Sequence, residues 1–369
     1  MKRKLTETKP RDYTKEPDLV RRIVESLHPE RMYLKVKEII EETPSTKTFR
    51  MVPTRGKLPP FRAGQYVNLF VNIGGVLTSR PYSISSSPTQ TEYIDLTVRR
   101  KEGGFVSNYL LDEVKVGDEF ETTGPAGQFY YEPLTDGKNL VFLAGGSGIT
   151  PFMSMIREVV EKGLDLNIWL IYGSRVPDDV IFGEELEKIA EQNPNINYVL
   201  AISEPPENWG GVCGFINRDI ILEQVKTVED KTFYLCGPQA MYTFCEKELE
   251  ALRVPRRKIK REAYGPPDDV TQEPGWPKGL SPDTEFTVEV VGRKTFKARA
   301  GEPLMNSLER EGIVIPVVCR SGVCTTCRTK LLSGEVFMPS SVTLLEADKK
   351  FGYIHPCMAY PISDIKIRI

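Results

Sequence analysis

The sequence predicts a multidomain α/β plus β chain: an antiparallel β-barrel, then a doubly wound parallel α/β domain, then a small third unit rich in cysteine. Three observations predict it. Period-two, β-rich segments broken by Pro and Gly run across residues 31–131; short apolar runs alternate with amphipathic stretches from Asn139 onward; and three cysteines crowd into residues 319–327. At 369 residues, 40% apolar and 27% charged, the chain is ordinary for a globular protein with room for two or three domains. A net charge of -2 gives no electrostatic reason to expect nucleic acid or an anionic membrane as the main partner.

Residues 1–30 form an extension with one candidate helix, carrying Leu19, Val20, Ile23, Val24 and Leu27 on one face. That face is expected to pack against the barrel, and His28 beside it reads as structural. The start of the chain is basic but lacks the apolar stretch of a secretory signal, and no segment approaches the roughly 20 apolar residues of a membrane span. Seven cysteines, three of them bunched, do not resemble the even framework of a disulfide-stapled secreted domain. The expected setting is the reducing cytoplasm.

The barrel strands are read at "MYLKVKEII", "KTFRMV", "QYVNLFVNI" and "YIDLTVRR". In residues 132–265, the runs "NIWLIY", "NYVLAI", "TFYLC" and "KIKREAY" alternate with helical stretches such as "PFMSMIREVVEKG", the pattern of a parallel sheet covered by helices. Residues 266–282 are dense in Pro and Gly and read as an extended linker outside any core. Residues 283–369 are the third unit.

Its cysteines follow the pattern Cys319-x4-Cys324-x2-Cys327-x29-Cys357, which matches plant-type spacing for a 2Fe-2S cluster. Four thiolates must converge on two irons, so three come from one tight loop and the fourth from a segment folded back beside it. Ser321 and Gly322 are small enough to let backbone amides turn toward sulfur. Zinc is the rival metal, but structural zinc sites come as two short knuckles and Cys357 has no close cysteine partner. A Rieske centre needs two histidines; His355 stands alone and reads as a shell or surface residue. Cys213, Cys236 and Cys245 are most simply buried small residues.

With these residues in view, residues 283–369 resemble a plant-type ferredoxin domain. The resemblance implies a β-grasp fold with "EPLMNSLEREG" as its crossing helix. Such a domain moves one electron at a time at a potential near about -400 mV, so the rest of the chain should supply a strong reductant.

"RPYSISSS", residues 80–87, resembles the flavin-binding signature of the ferredoxin-NADP reductase superfamily, and the likeness continues through residue 265. It implies that Arg80, followed by Pro81, pairs with a flavin phosphate, that Tyr82 lies against the isoalloxazine, and that Ser83 hydrogen-bonds near N5. Fork geometry suits guanidinium to a pyrophosphate, and an aromatic platform suits a flat ring. In "GGFVSNYLL" a glycine pair opens a predicted helix over 105–112, whose free amides can meet a phosphate. Gly104, Phe105, Val106 and Ser107 match the family's diphosphate element, and "GPAGQF" its barrel-closing turn. Outside that context, a sheet-edge Arg, a packed Tyr and a plainly capped helix would account for these strings.

"AGGSGITP", residues 144–151, follows a buried strand and opens a helix, where an open parallel sheet seats a dinucleotide pyrophosphate. Gly145, Gly146, Ser147 and Gly148 match the family's variant loop, with Thr150 expected as helix cap and Pro151 at the first helical position. Ser174 and Arg175 in "YGSR", and Cys236, Gly237 and Pro238 in "CGPQAMY", end further strands as the family would have them. Cys236 and Tyr264 are then expected beside the nicotinamide and flavin.

Ser203 is followed by Glu204 where NADPH-using members place an Arg. A carboxylate there would repel a 2'-phosphate, so NADH is favoured although Arg175 offers compensation; FAD is favoured over FMN by the likeness of the two flavin elements. The expected activity is an electron-transfer reductase passing hydride from NAD(P)H to flavin, and single electrons through the cluster to a separate protein. Direct reduction of a small acceptor, or a non-catalytic NAD(H) sensor, are the alternatives.

Overall fold

The computed structural model describes residues 18–262 and 264–369, and for Leu19 and Val20 the backbone alone. Helix α1 (Leu19–Leu27) forms, but Ile23, Val24 and Leu27 stay 42%, 50% and 41% exposed rather than packing on the barrel. Beyond it, the Gly124 amide donates to the Pro29 carbonyl at 3.2 Å and joins the chain to the barrel. His28 is exposed just past the helix end.

The barrel comprises β1 (Met32–Thr43), β2 (Thr46–Pro53), β3 (Tyr66–Ile73), β4 (Val76–Ser83), β5 (Ile94–Arg99) and β6 (Glu119–Thr122). Their order is β4-β3-β6-β1-β2-β5 with antiparallel neighbours, and a bridge between Ile84 and Leu96 joins the two edges. Alternation along β1 turns Met32, Leu34 and Val36 inward. Helix α2 (Phe105–Glu113) buries Val106, Leu110 and Leu111 in the same core.

After the short helix α3 (Pro133–Asp136) come β7 (Asn139–Gly145), α4 (Ile149–Lys162), β8 (Asn167–Ser174), α5 (Gly183–Gln192), β9 (Ile196–Ile202), β10 (Val212–Cys213), α6 (Arg218–Val225), β11 (Lys231–Cys236), α7 (Gln239–Ala251) and β12 (Ile259–Glu262). The sheet runs β10-β9-β8-β7-β11-β12, parallel throughout. Side chains alternate between two cores, Leu140 and Phe142 entering one and Val141 and Leu143 the other, so both faces are covered. Strand order reverses between β7 and β11, which opens a crevice at their carboxyl ends. Thr150 is not the helix cap. A tight turn over Gly146–Gly148 winds the helix start backward, so Gly148 caps α4 and the Thr150 hydroxyl donates to the Ser147 carbonyl at 3.0 Å.

The third unit contains β13 (Glu285–Val290), β14 (Thr295–Arg299), α8 (Leu304–Arg310), β15 (Thr329–Ser333), β16 (Val336–Phe337), α9 (Glu346–Lys350), β17 (Tyr353–Ile354), β18 (Tyr360–Pro361) and β19 (Ile365–Arg368). Its main sheet is β14-β13-β19-β15-β17, crossed by α8 through Leu304, Met305 and Leu308, with β16 and β18 as a separate pair. This is the β-grasp arrangement. The Pro- and Gly-rich linker differs from expectation: Val270 is buried, and Trp276 sets its ring edge-on to Phe337 at 5.3 Å and to Tyr360 at 6.3 Å. Two apolar side chains suffice to seat it, because the β16–β18 pair leaves aromatic surface uncovered. Cys236 and Cys245 are buried, whereas Cys213 is exposed at the sheet edge.

Candidate active site

The cysteine loop turns through left-handed backbone at Arg320 (φ 53°), Gly322 (φ 77°) and Thr325 (φ 59°). These turns aim the amides of Ser321 and Cys324 at the Cys319 sulfur, each at 3.4 Å. Cys357, from the segment before β18, brings its sulfur to 3.4 Å from that of Cys327. The neighbouring Cys324 and Cys357 thiols, then the two amides, favour charge on Cys319 and draw its thiol below the usual range, while Cys324 and Cys357 are themselves raised. Charge is thus favoured at Cys319 and Cys327 at the expense of Cys324 and Cys357. Among the described residues no three His, Cys, Asp or Glu side chains close on a single point as around one ion; four sulfurs shared between two irons need not do so. His355 is fully buried, and its Nδ1 lies 3.1 Å from the Gly322 carbonyl, tying the Cys357 segment to the loop.

A cleft of about 540 Å³ opens between the end of β4, the start of α2, and α8 of the third unit. Arg80, Pro81, Tyr82, Ser83, Gly104, Phe105, Val106, Ser107, Ser147, Thr150 and Tyr264 line it, and so do Arg320 and Cys357. Arg80 donates to the Thr78 hydroxyl at 2.9 Å and the Ser79 carbonyl at 2.7 Å. Burial, then the neighbouring Arg320 guanidinium, pushes Arg80 down to about 10. Two guanidiniums beside the one carboxylate of Glu309 leave surplus positive charge, which a diphosphate would neutralise. At the α2 cap a Cβ on Gly104 would fall 2.3 Å from the Ser107 hydroxyl and 2.9 Å from the Lys101 carbonyl, so the approach needs glycine. The cleft therefore fits a flavin dinucleotide.

Three residues expected at the chemistry, distant in sequence, meet at the inner wall. The hydroxyls of Ser83 and Tyr264 are 2.6 Å apart, and the Cys236 thiol lies close behind Tyr264. Cys236 has no exposed surface, and burial raises its thiol so that it stays neutral. Tyr242 completes the cluster, accepting from the Gly237 amide at 3.1 Å and donating to the Glu262 carbonyl. Sequence reasoning missed Glu262. Burial, with the Cys319 charge second, pushes its carboxyl up to about 8. The available signal was an acidic residue closing the last strand of a parallel sheet, where ligands bind.

The nucleotide loop lies beside this wall. A Cβ on Gly148 would come within 2.1 Å of the Cys236 carbonyl, and one on Gly145 within 2.5 Å of the Met241 sulfur, so β7 and β11 approach through bare backbone. Gly237 and Pro238 belong to the same junction, behind the cleft rather than on it, whereas a Cβ on Gly146 would fall 2.5 Å from the Arg99 guanidinium at the cleft. Ser174 is buried, and its hydroxyl donates to the Val176 and Asp179 carbonyls, so it shapes the turn. Arg175 is exposed and lies 4.0 Å from Glu204, which offsets the charge a 2'-phosphate would need.

A barrel with a cationic flavin cleft, a parallel sheet with a glycine crevice, and a four-thiolate loop at the cleft's edge define a nicotinamide-dependent flavin and iron-sulfur oxidoreductase. Family models agree: an oxidoreductase FAD-binding domain matches residues 33–131, an oxidoreductase NAD-binding domain residues 142–247, and a 2Fe-2S iron-sulfur cluster binding domain residues 288–361. NADH oxidoreductase HCR of Escherichia coli (strain K12) is 33% identical over 90% of this chain and 96% of its own. The glycine betaine monooxygenase reductase subunit of Pseudomonas aeruginosa is 29% identical over 89% and 93%. Among solved structures, phthalate dioxygenase reductase superposes with a TM-score of 0.70 at 24% identity, over 92% of this chain and 98% of that one, sharing the fold.

The chain belongs to the ferredoxin-NADP reductase superfamily, in the branch whose flavoprotein reductase is fused to a C-terminal 2Fe-2S ferredoxin domain. It carries electrons from NADH through FAD and the cluster to a separate protein. No helix among the described residues is long and apolar enough to cross a membrane.

Proposed function

We propose that the nicotinamide binds at the crevice between β7 and β11, and that Ser83, Tyr264 and Cys236 form the station where its hydride is handed on. FAD supplies the conversion of a two-electron donor into single electrons, and the cluster supplies a one-electron outlet. Arg80 and the first turn of α2 hold the diphosphate, and Tyr82 bears on the flat ring. Ser83 presents a hydroxyl at the cleft wall, Tyr264 sets its direction, and neutral Cys236 backs Tyr264 without placing a charge there. Gly145, Gly146, Ser147, Gly148, Thr150, Gly237 and Pro238 frame the pyrophosphate, while Ser174, Arg175 and Glu204 face the adenosine end. Cys319, Cys324, Cys327 and Cys357 are the cluster ligands.

One observation carries this reading: Cys357 shares a single cleft with Tyr82 and Ser83. A ligand of the cluster in the flavin wall supports a cluster on the electron path, against direct reduction of a small acceptor and against an NAD(H) sensor. Residues 31–131, 132–265 and 283–369 then act as flavin, nucleotide and electron-output units, and free thiols support a cytoplasmic setting. In stopped flow, Ser83→Ala should bleach the flavin with NADH about tenfold more slowly at nearly unchanged flavin affinity. Equal rates in variant and parent would remove Ser83 from the station.

A further inference from the structure

A hydride is two electrons and one proton, while an iron-sulfur cluster accepts electrons alone. For each NADH that becomes NAD⁺, both electrons leave through the cluster, and one proton must be released at the cleft. The balance is NADH giving NAD⁺, one proton and two electrons, with no further reactant.

The outer face of the β2–β5 pair, opposite the barrel core and covered by the nucleotide domain, holds a polar ladder that begins at the cleft. Thr97 lines the cleft, and its hydroxyl lies 2.8 Å from that of Thr48, which donates to Glu42 Oε1 at 2.6 Å. Thr97 and Thr48 are buried, at 4% and 2% exposure, whereas Glu42 is half-buried and reaches the outer surface. Directly opposed threonines on β2 and β5 are an ordinary cross-strand pair. The order of donors is what sets this pair apart. Thr48 has a single proton and spends it on the Glu42 carboxylate, so it must accept from Thr97, and Thr97 is left free to accept in turn. Ser85 sits 2.9 Å from Thr97, with a competing acceptor in the Asp95 carbonyl at 3.2 Å.

We propose that Thr97, Thr48 and Glu42 form the exit wire for that proton, each hydroxyl taking a proton from the cleft side and passing its own outward to the Glu42 carboxylate. The inference rests on the electron-transfer activity and adds a route that the electron path does not contain. Burial raises the Glu42 carboxyl above the ordinary range, which favours transient protonation; Thr48 and Arg157 pull the other way, and the Glu185 and Asp95 charges add to the rise. Arg157, from α4, is itself held by Glu185 at 2.6 Å and by the Ser85 carbonyl at 2.8 Å.

The test uses the FAD- and cluster-loaded protein, with NADH as donor and ferricyanide as one-electron sink. A pH-indicator dye in weak buffer follows proton release while absorbance follows flavin bleaching. Thr48→Val should slow proton release about tenfold with flavin bleaching by NADH within about twofold of the parent, and Thr48→Ser should restore it. An infrared difference spectrum between dithionite-reduced and oxidised protein should show a carboxyl change that Glu42→Gln abolishes. Parental proton release in Thr48→Val, or a Thr48→Ser variant as slow as Thr48→Val, overturns the wire. A parental protein whose flavin NADH does not bleach would instead overturn the activity on which the wire depends.

Discussion

The two walls of the flavin cleft are joined by different physics. On the nucleotide side, Asp179 takes the Arg99 guanidinium together with the hydroxyls of Thr43 at 2.7 Å and Ser45 at 2.6 Å, and the Arg99 and Asp179 side chains keep 25% and 14% of their surface. On the ferredoxin side, Asn68 donates to the Val317 carbonyl at 2.9 Å, Thr78 donates to Glu309 at 2.7 Å, and the paired Arg320 and Glu309 keep 5% and 6%. One joint is partly wet and the other dry. A wall that admits and releases a nucleotide every turnover works with contacts that water can replace. A wall that passes electrons between fixed centres needs a spacing that does not drift, and a desolvated ion pair resists separation because each half would be left buried and alone.

The largest test of this contrast is Cys324→Ser, which removes one of the four proposed cluster ligands. Reduction of a protein acceptor such as cytochrome c should fall by about a hundredfold or more, while NADH still bleaches the flavin at the parental rate. A loss of both would mean that the dry wall also sustains the nucleotide side. Next comes Gly148→Ala, whose Cβ would press into the Cys236 carbonyl and the Gly237 amide at 2.1 and 2.6 Å. It should cost about 3 kcal/mol in urea unfolding and weaken NADH binding without shifting the cluster's visible spectrum.

Glu309→Ala against Asp179→Ala compares the joints directly. The first strands a buried guanidinium and should cost about 3 kcal/mol. The second leaves one that water can reach and should cost about 1 kcal/mol. Equal losses, or the reverse order, would remove the distinction. The smallest effect is a slope: the folded protein keeps the Glu262 proton up to about pH 8, whereas the unfolded chain gives it up in the ordinary carboxylate range. Stability therefore declines as pH rises between those limits, and Glu262→Gln should flatten the decline in urea midpoints measured across that window.

Much of the site was legible along the chain because its signals are local. Cysteine spacing reports a covalent loop, glycines before α4 report a close backbone approach, and the Arg80–Ser83 string sits at the end of one strand. Ser83, Cys236 and Tyr264 could be named one by one, yet their meeting at one wall could not. Other expectations failed where a partner had to be supplied. Ile23, Val24 and Leu27 of α1 lie open, Thr150 bonds backward instead of capping, Cys213 is exposed, and Trp276 docks a linker whose composition gave no hint of a core.

Hydrophobic period, turn residues and ligand spacing depend on neighbours within a few positions, so the chain alone determined three units, their order and the chemistry each can hold. The contact from Thr78 to Glu309 spans 231 positions, and that from Ser83 to Tyr264 spans 181. No local period encodes which hydroxyl meets which carboxylate or phenol across such separations. Only the packing of the three units against one another decided that Cys357 enters the flavin cleft, that burial raises the Glu262 carboxyl, and that a threonine pair on the outer face of the barrel sheet is buried with one end toward Glu42.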